Sequence, residues 1–142
     1  MFMPNDFKIL SNSDRYLVLE TPYAGILSKN SYKTSGPSGY RTHSTKDEVR
    51  IWMDRVRNLV RQSSLYMFID RHEDGLVRPI LRIYLEGFFK DLSSTPDIHN
   101  LHEVVADSLK TVLIDDKFFL FSDLEWELGY SSSKLVIRIE YI

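Results

Sequence analysis

The sequence contains no cysteine, which excludes a disulfide framework, thiolate zinc sites and a cysteine nucleophile together. It lacks any uninterrupted apolar stretch approaching the roughly 20 residues that a membrane-spanning helix needs. The opening Met1-Phe2-Met3-Pro4-Asn5-Asp6 has no basic region leading into a long apolar run. A soluble, unprocessed chain with no membrane partner is therefore expected, and the missing cysteines fit a cytoplasmic address. A surplus of one charge is missing too. The 18 Lys and Arg stand against 20 Asp and Glu, a formal net charge of −2, which is not the basic excess typical of a nucleic-acid-binding domain.

What is present suffices for one domain. A chain of 142 residues with 43% hydrophobic and 13% aromatic residues can bury a single core. Its charge is unevenly spread. Lys29, Lys33, Arg41, Lys46, Arg50, Arg55, Arg57 and Arg61 crowd one stretch, whereas acids dominate from Glu86 onward. A basic half could follow phosphates while an acidic half holds a metal, although two solvated faces of mixed charge would look the same in composition.

Along the chain, Phe7 to Leu10 and Tyr16 to Glu20 read as strands bounded by Asn12-Ser13-Asp14 and Pro22. Residues 28–41, dense in Ser, Gly and basic side chains, read as a loop. Thr45 and Glu48 form a capping box. Val49, Trp52, Met53, Val56, Leu59 and Val60 then recur at helical spacing to about Gln62. This stripe leaves Arg50, Arg57 and Arg61 elsewhere on the circumference, available to a polyanion or to water. Leu65 to Ile69 and Ile80 to Phe89 read as strands joined through an Asp-Gly turn. A second helix has two candidate starts, Thr95 with Pro96 or Asn100 with Glu103, and Asn100 is the better cap. Its stripe of Leu101, Val104, Val105, Ser108, Leu109, Val112 and Leu113 runs to near Ile114. Phe118 to Phe121, Leu124 to Leu128 and Leu135 to Tyr141 complete the chain, with two half-exposed antiparallel strands implied at its end. Strands, helix, strands, helix, strands define an α+β domain.

With Asn100 as cap, Asp97-Ile98-His99 is extended, and a period of two places Asp97 and His99 on one side with Ile98 toward the core. Asp115-Asp116, just past the same helix, returns a carboxylate to that side if the next strand runs back beside the first. Hard oxygen ligands such as Asp97 and Asp116 suit magnesium, and His99 shifts the preference toward manganese or zinc. An Asp at a helix start and an acidic turn are also ordinary structural features. His43, His72 and His102 read as surface or hydrogen-bonded histidines, though His99, His102 and Glu103 share a helix start and could jointly take a transition metal.

The run Pro96-Asp97-Ile98-His99-Asn100-Leu101, then Asp107-Ser108-Leu109, then Ile114-Asp115-Asp116, resembles the signature of the RusA family of Holliday-junction resolvases. In that signature an acidic D-x-D-N stretch opens a helix that carries D-x-L and ends in a D-D pair. Tyr40-Arg41-Thr42-His43-Ser44 and Asn30-Ser31-Tyr32 resemble the family's basic loop and its Asn- and Tyr-containing turn. The likeness covers residues 17–142 and leaves 1–16 as an N-terminal extension.

The resemblance implies a small mixed-sheet homodimer with two main helices that uses magnesium or manganese to nick branched double-stranded DNA in recombination and repair. It matches Asp97 and Asp116 to metal-binding aspartates and Asp115 to the neighbour of the second; with His99 and Glu103 at the adjoining positions, the candidate metal set is Asp97, His99, Asp115 and Asp116 and the candidate catalytic set Asp97, His99, Glu103 and Asp116. Lys29, Lys33, Arg41, Arg50, Arg57 and Arg61 would contact DNA. Two positions depart from the pattern: His99 stands where the family has aspartate, and Glu103 stands where it usually has a lysine near the scissile phosphate. Two other classes remain open, a junction-binding homologue that no longer cuts and a small interaction or inhibitor protein whose acidic half meets a basic partner.

Overall fold

The computed structural model describes residues 2–28, 43–72 and 80–141, the side chains of 28 and 43–46 excepted. Strands β1 (Lys8–Ser13) and β2 (Tyr16–Pro22) form an antiparallel hairpin. Helices α1 (His43–Arg61) and α2 (Ser64–His72) follow, then β3 (Leu81–Phe89), α3 (Ile98–Leu109), β4 (Phe119–Leu128) and β5 (Lys134–Tyr141). The five strands make one mixed sheet in the order β1-β2-β5-β3-β4. β5 lies antiparallel to both β2 and β3, while β4 runs parallel to β3 at the far edge. This is the α+β domain that the element order implied, with a third helix added.

One face of the sheet is apolar, because side chains alternate and the cross-strand rows Leu17, Ile139, Ile83 and Leu19, Ile137, Leu85 fall on the same side. All six are fully buried. Against them pack Val49, Trp52, Val56 and Val60 of α1 and Leu101, Val104, Val105 and Leu109 of α3, each set at the three- and four-residue spacing that makes one helix stripe. The indole Nε1 of Trp52 donates to the Pro22 carbonyl at 3.1 Å, satisfying the one polar group of the largest buried side chain. On the opposite face Arg138 donates to Glu86 and to the Tyr16 hydroxyl, knitting β2, β5 and β3 by polar contacts.

Several expectations are corrected. Residues 65–69 are helical, not extended: the Ser63 hydroxyl accepts from the Tyr66 N–H at 3.1 Å, a helix cap, and Leu65 and Ile69 are buried one turn apart. The C-terminal strands are not an antiparallel pair, since β4 and β5 flank β3 on opposite sides. Phe119 to Leu128 is one strand with a bulge where its pairing shifts register opposite Leu85 and Gly87. Residues 2–16 pack with the rest of the described chain. β1 completes the sheet, and Phe2 and Phe7, edge to face at 6.4 Å, enter the core. No helix among the described residues is long and apolar enough to cross a membrane.

Candidate functional site

Asp97 is the N-cap of α3. Its backbone is extended (φ −74°, ψ 113°) and its Oδ1 accepts from the Asn100 N–H at 3.3 Å. A carboxylate there satisfies an orphan donor and faces the positive end of the helix dipole. Asn100 is thus inside the helix rather than its cap, and Asp97-Ile98-His99 does not alternate. Ile98 sits in the first turn, 38% exposed instead of buried. His99 and Glu103 are exposed one turn apart on the same helix.

Asp115 and Asp116 lie beyond the other end of α3, where Asp115 caps a 3-10 turn over Asp116–Phe118 by accepting from the Lys117 N–H at 3.1 Å. That backbone hydrogen bond holds the Asp115 carboxyl below the ordinary aspartate range. Lys110 is bound to Asp107 at 3.1 Å, and this bond, with Asp116 and Asp115 adding, raises its ammonium pKa.

The two acidic groups are therefore separated by the whole of α3, twelve residues or about 18 Å. The cause is the direction of β4. The strand does lie beside β3, but parallel to it, with Phe119 paired to Leu81. Its start, and Asp115-Asp116 with it, thus falls at the end of the sheet opposite to Asp97. Among the described residues no three His, Asp or Glu side chains gather in a way that could hold a metal ion. Within one protomer Asp97, His99, Asp115 and Asp116 do not fit a single divalent ion.

The basic residues divide. The Arg57 Nε and Nη2 donate to the carbonyls of Ser108 (3.2 Å) and Asp107 (3.0 Å), and Nη1 to Asp54 (3.1 Å). Its guanidinium is thus committed to tying α1 to the C-terminal end of α3. Arg50 is exposed beside Asp47 at 3.5 Å, and Arg61 beside Asn58 at 3.2 Å, both in contact with solvent. Lys29, Lys33 and Arg41 lie outside the described residues.

One pair escaped sequence reasoning. The His102 Nε2 meets Asp123 Oδ1 at 2.9 Å, and the imidazole stacks on Phe121 at 4.5 Å with an interplanar angle of 14°. Each member is about a quarter exposed. Phe121 and Asp123 share a face of β4 by the two-residue period. The approach of α3 to that face depends on a long-range register with no local signal.

No family model matches the chain, and no curated protein is significantly similar to it. Two solved structures align over 96% of the chain and 81% of their own: the OmpA-like domain of FopA1 from Francisella tularensis subsp. tularensis SCHU S4, at 12% identity and a TM-score of 0.36, and the protein Atu1372 of unknown function from Agrobacterium tumefaciens, at 14% and 0.31. Scores this low carry no argument about fold or function.

Proposed function

We propose that the chain is a metal-dependent, structure-selective DNA endonuclease of the RusA type, acting in the cytoplasm as a homodimer on four-way junctions, with each site assembled from two copies. The observation that carries this reading is the placement of the two acidic groups of the motif, exposed at opposite ends of one helix. An isologous dimer brings opposite ends of like elements together. Counted along the chain, an antiparallel pairing centred between Ala106 and Asp107 sets Asp97 of one copy opposite Asp116 of the other. It also sets the exposed Glu103 opposite the exposed Lys110, exchanging a family lysine for a charge pair across the two-fold. Two such sites related by symmetry match the paired nicks that a junction requires. Magnesium or manganese would be the ion, the carboxylates favouring the first and His99 the second.

Purified chain titrated with each metal against a synthetic four-way junction provides the test. Cleavage should require a divalent ion, and Asp116→Asn should remove it without changing thermal stability, because an amide of the same shape replaces an exposed carboxylate. Asp97→Asn should do likewise, since asparagine caps a helix as well as aspartate does. Wild type that binds the junction but cuts in neither metal would instead make the protein a binding-only homologue.

A further inference from the structure

β4 is ten residues long and ends the sheet, with no strand among the described residues on its outer side. An edge of that length offers a row of backbone donors and acceptors to another chain. Its sequence, Phe119 to Leu128, contains Asp123, Glu125 and Glu127 and neither Lys nor Arg. Leu120, Leu124 and Leu128 remain 51%, 43% and 46% exposed along it. At its C-terminal end Leu92, Thr95, Pro96, Ile98, Trp126 and Leu128 enclose an apolar cleft of ≈280 Å³. Leu92, 76% exposed, is held out beside this cleft by a turn in which Asp91 accepts from Ser93 Oγ (2.7 Å), Ser94 Oγ (2.9 Å) and Ser94 N–H (3.1 Å).

We infer that this edge binds an extended, basic segment of a partner protein, added to the sheet as a further strand beside β4 with an apolar side chain seated in the cleft. Charge selects this occupant. A second copy of the chain would set its own Glu125 and Glu127 against the same residues, whereas Asp123 is already taken by His102. A segment bearing Lys or Arg at alternate positions meets the acids with opposite sign, so one feature admits the partner and rejects self-association. The inference rests on β4 and the cleft rather than on the nuclease reading, although Pro96 and Ile98 of the cleft flank Asp97.

The test uses the full chain and a labelled peptide of alternating lysine and valine, its glutamate-valine counterpart serving as control. Fluorescence anisotropy should show binding of the basic peptide in the micromolar range, weakened by salt, and none of the acidic one. Hydrogen exchange should slow at β4 amides when the basic peptide is added. Glu125→Lys, at an exposed position, and separately Leu128→Asp should each weaken binding by about tenfold while circular dichroism stays unchanged. Equal binding of both peptides, no binding of the basic one, or protection elsewhere than β4 would overturn the proposal. So would protection of β4 that grows with protein concentration in the absence of peptide, which would place a second copy on the edge.

Discussion

Arg57 shows how a single side chain can be consumed by the fold. Its guanidinium bridges the last carbonyls of α3, on Asp107 and Ser108, and only 18% of the side chain remains accessible. Carbonyls at a helix C-terminus lack intrahelical partners and carry the negative end of the dipole, so a cation there is doubly stabilising. Replacing Arg57 by Gln should lower stability by about 1–3 kcal/mol, the value of charged hydrogen bonds, measured by urea denaturation. Under the proposed nuclease reading it should leave the salt dependence of junction binding unchanged, whereas reversing Arg50 and Arg61 together should reduce that slope by roughly two. An equal loss of slope from Arg57 would mean that the guanidinium leaves its carbonyls for phosphate.

Asp91 provides a pH signature at the same scale. The Ser93 hydroxyl, then the Ser94 hydroxyl and the Ser94 N–H, hold its carboxyl below the ordinary aspartate value of 3.8. A depressed folded-state pKa stabilises above the unfolded value and ceases to do so as pH falls through the folded one. Melting curves of wild type and Asp91→Ala should therefore differ by a constant amount near neutrality and converge in acid, below the ordinary value. A separation that persists unchanged through acid would remove the carboxylate from the account of this turn.

Among the elements, β3 and β4 depend on one close approach. A Cβ placed on Gly87 would stand 2.1 Å from the Trp126 ring and 2.2 Å from that of Phe89, whose centroids are 5.4 Å apart. Glycine is required there so that Trp126 can lie across the strand. Gly87→Ala should cost about 2–3 kcal/mol by overpacking, a fall in melting temperature of roughly 5–10 °C by differential scanning calorimetry. An unchanged melting temperature would show that Trp126 moves freely.

The elements also show what local sequence can express. The stripes of α1 and α3 and the apolar face of β3 follow from periodicity alone, and they supply about half of the core. The helix at Leu65 to Ile69 does not, because five apolar residues fit either a strand or a helix turn, and the cap at Ser63 decides between them. The start of α3 was open for a related reason. Thr95, Asp97 and Asn100 can all cap a helix, and tertiary packing selects Asp97. Strand direction has no local signal whatever. The parallel course of β4 therefore separates Asp97 from Asp115-Asp116 although their motif spacing looked favourable, and the same course brings Asp123 to His102 without any motif.

At the scale of the whole molecule, a chain of balanced charge concentrates acids on β4 and around α3 and leaves Arg50 and Arg61 exposed on α1. One copy holds the two parts of the acidic motif beyond opposite ends of α3, itself about 18 Å long, too far for a shared ion. The proposed nuclease would thus draw on a second copy, and the exposed side of α3, with His99, Glu103 and the adjoining Lys110, is where it would pair. Mixing two inactive variants tests this most directly. Asp97→Asn and Asp116→Asn are unfolded and refolded together, so that half of the dimers carry one of each. In a mixed dimer one composite site bears both substitutions and the other bears neither. Single nicking of a four-way junction should return to roughly a quarter of the wild-type level, while paired resolution should stay absent, as one intact site per two-fold dimer demands. A mixture as inactive as its parents, with both proteins folded and dimeric, would contradict a site shared between copies.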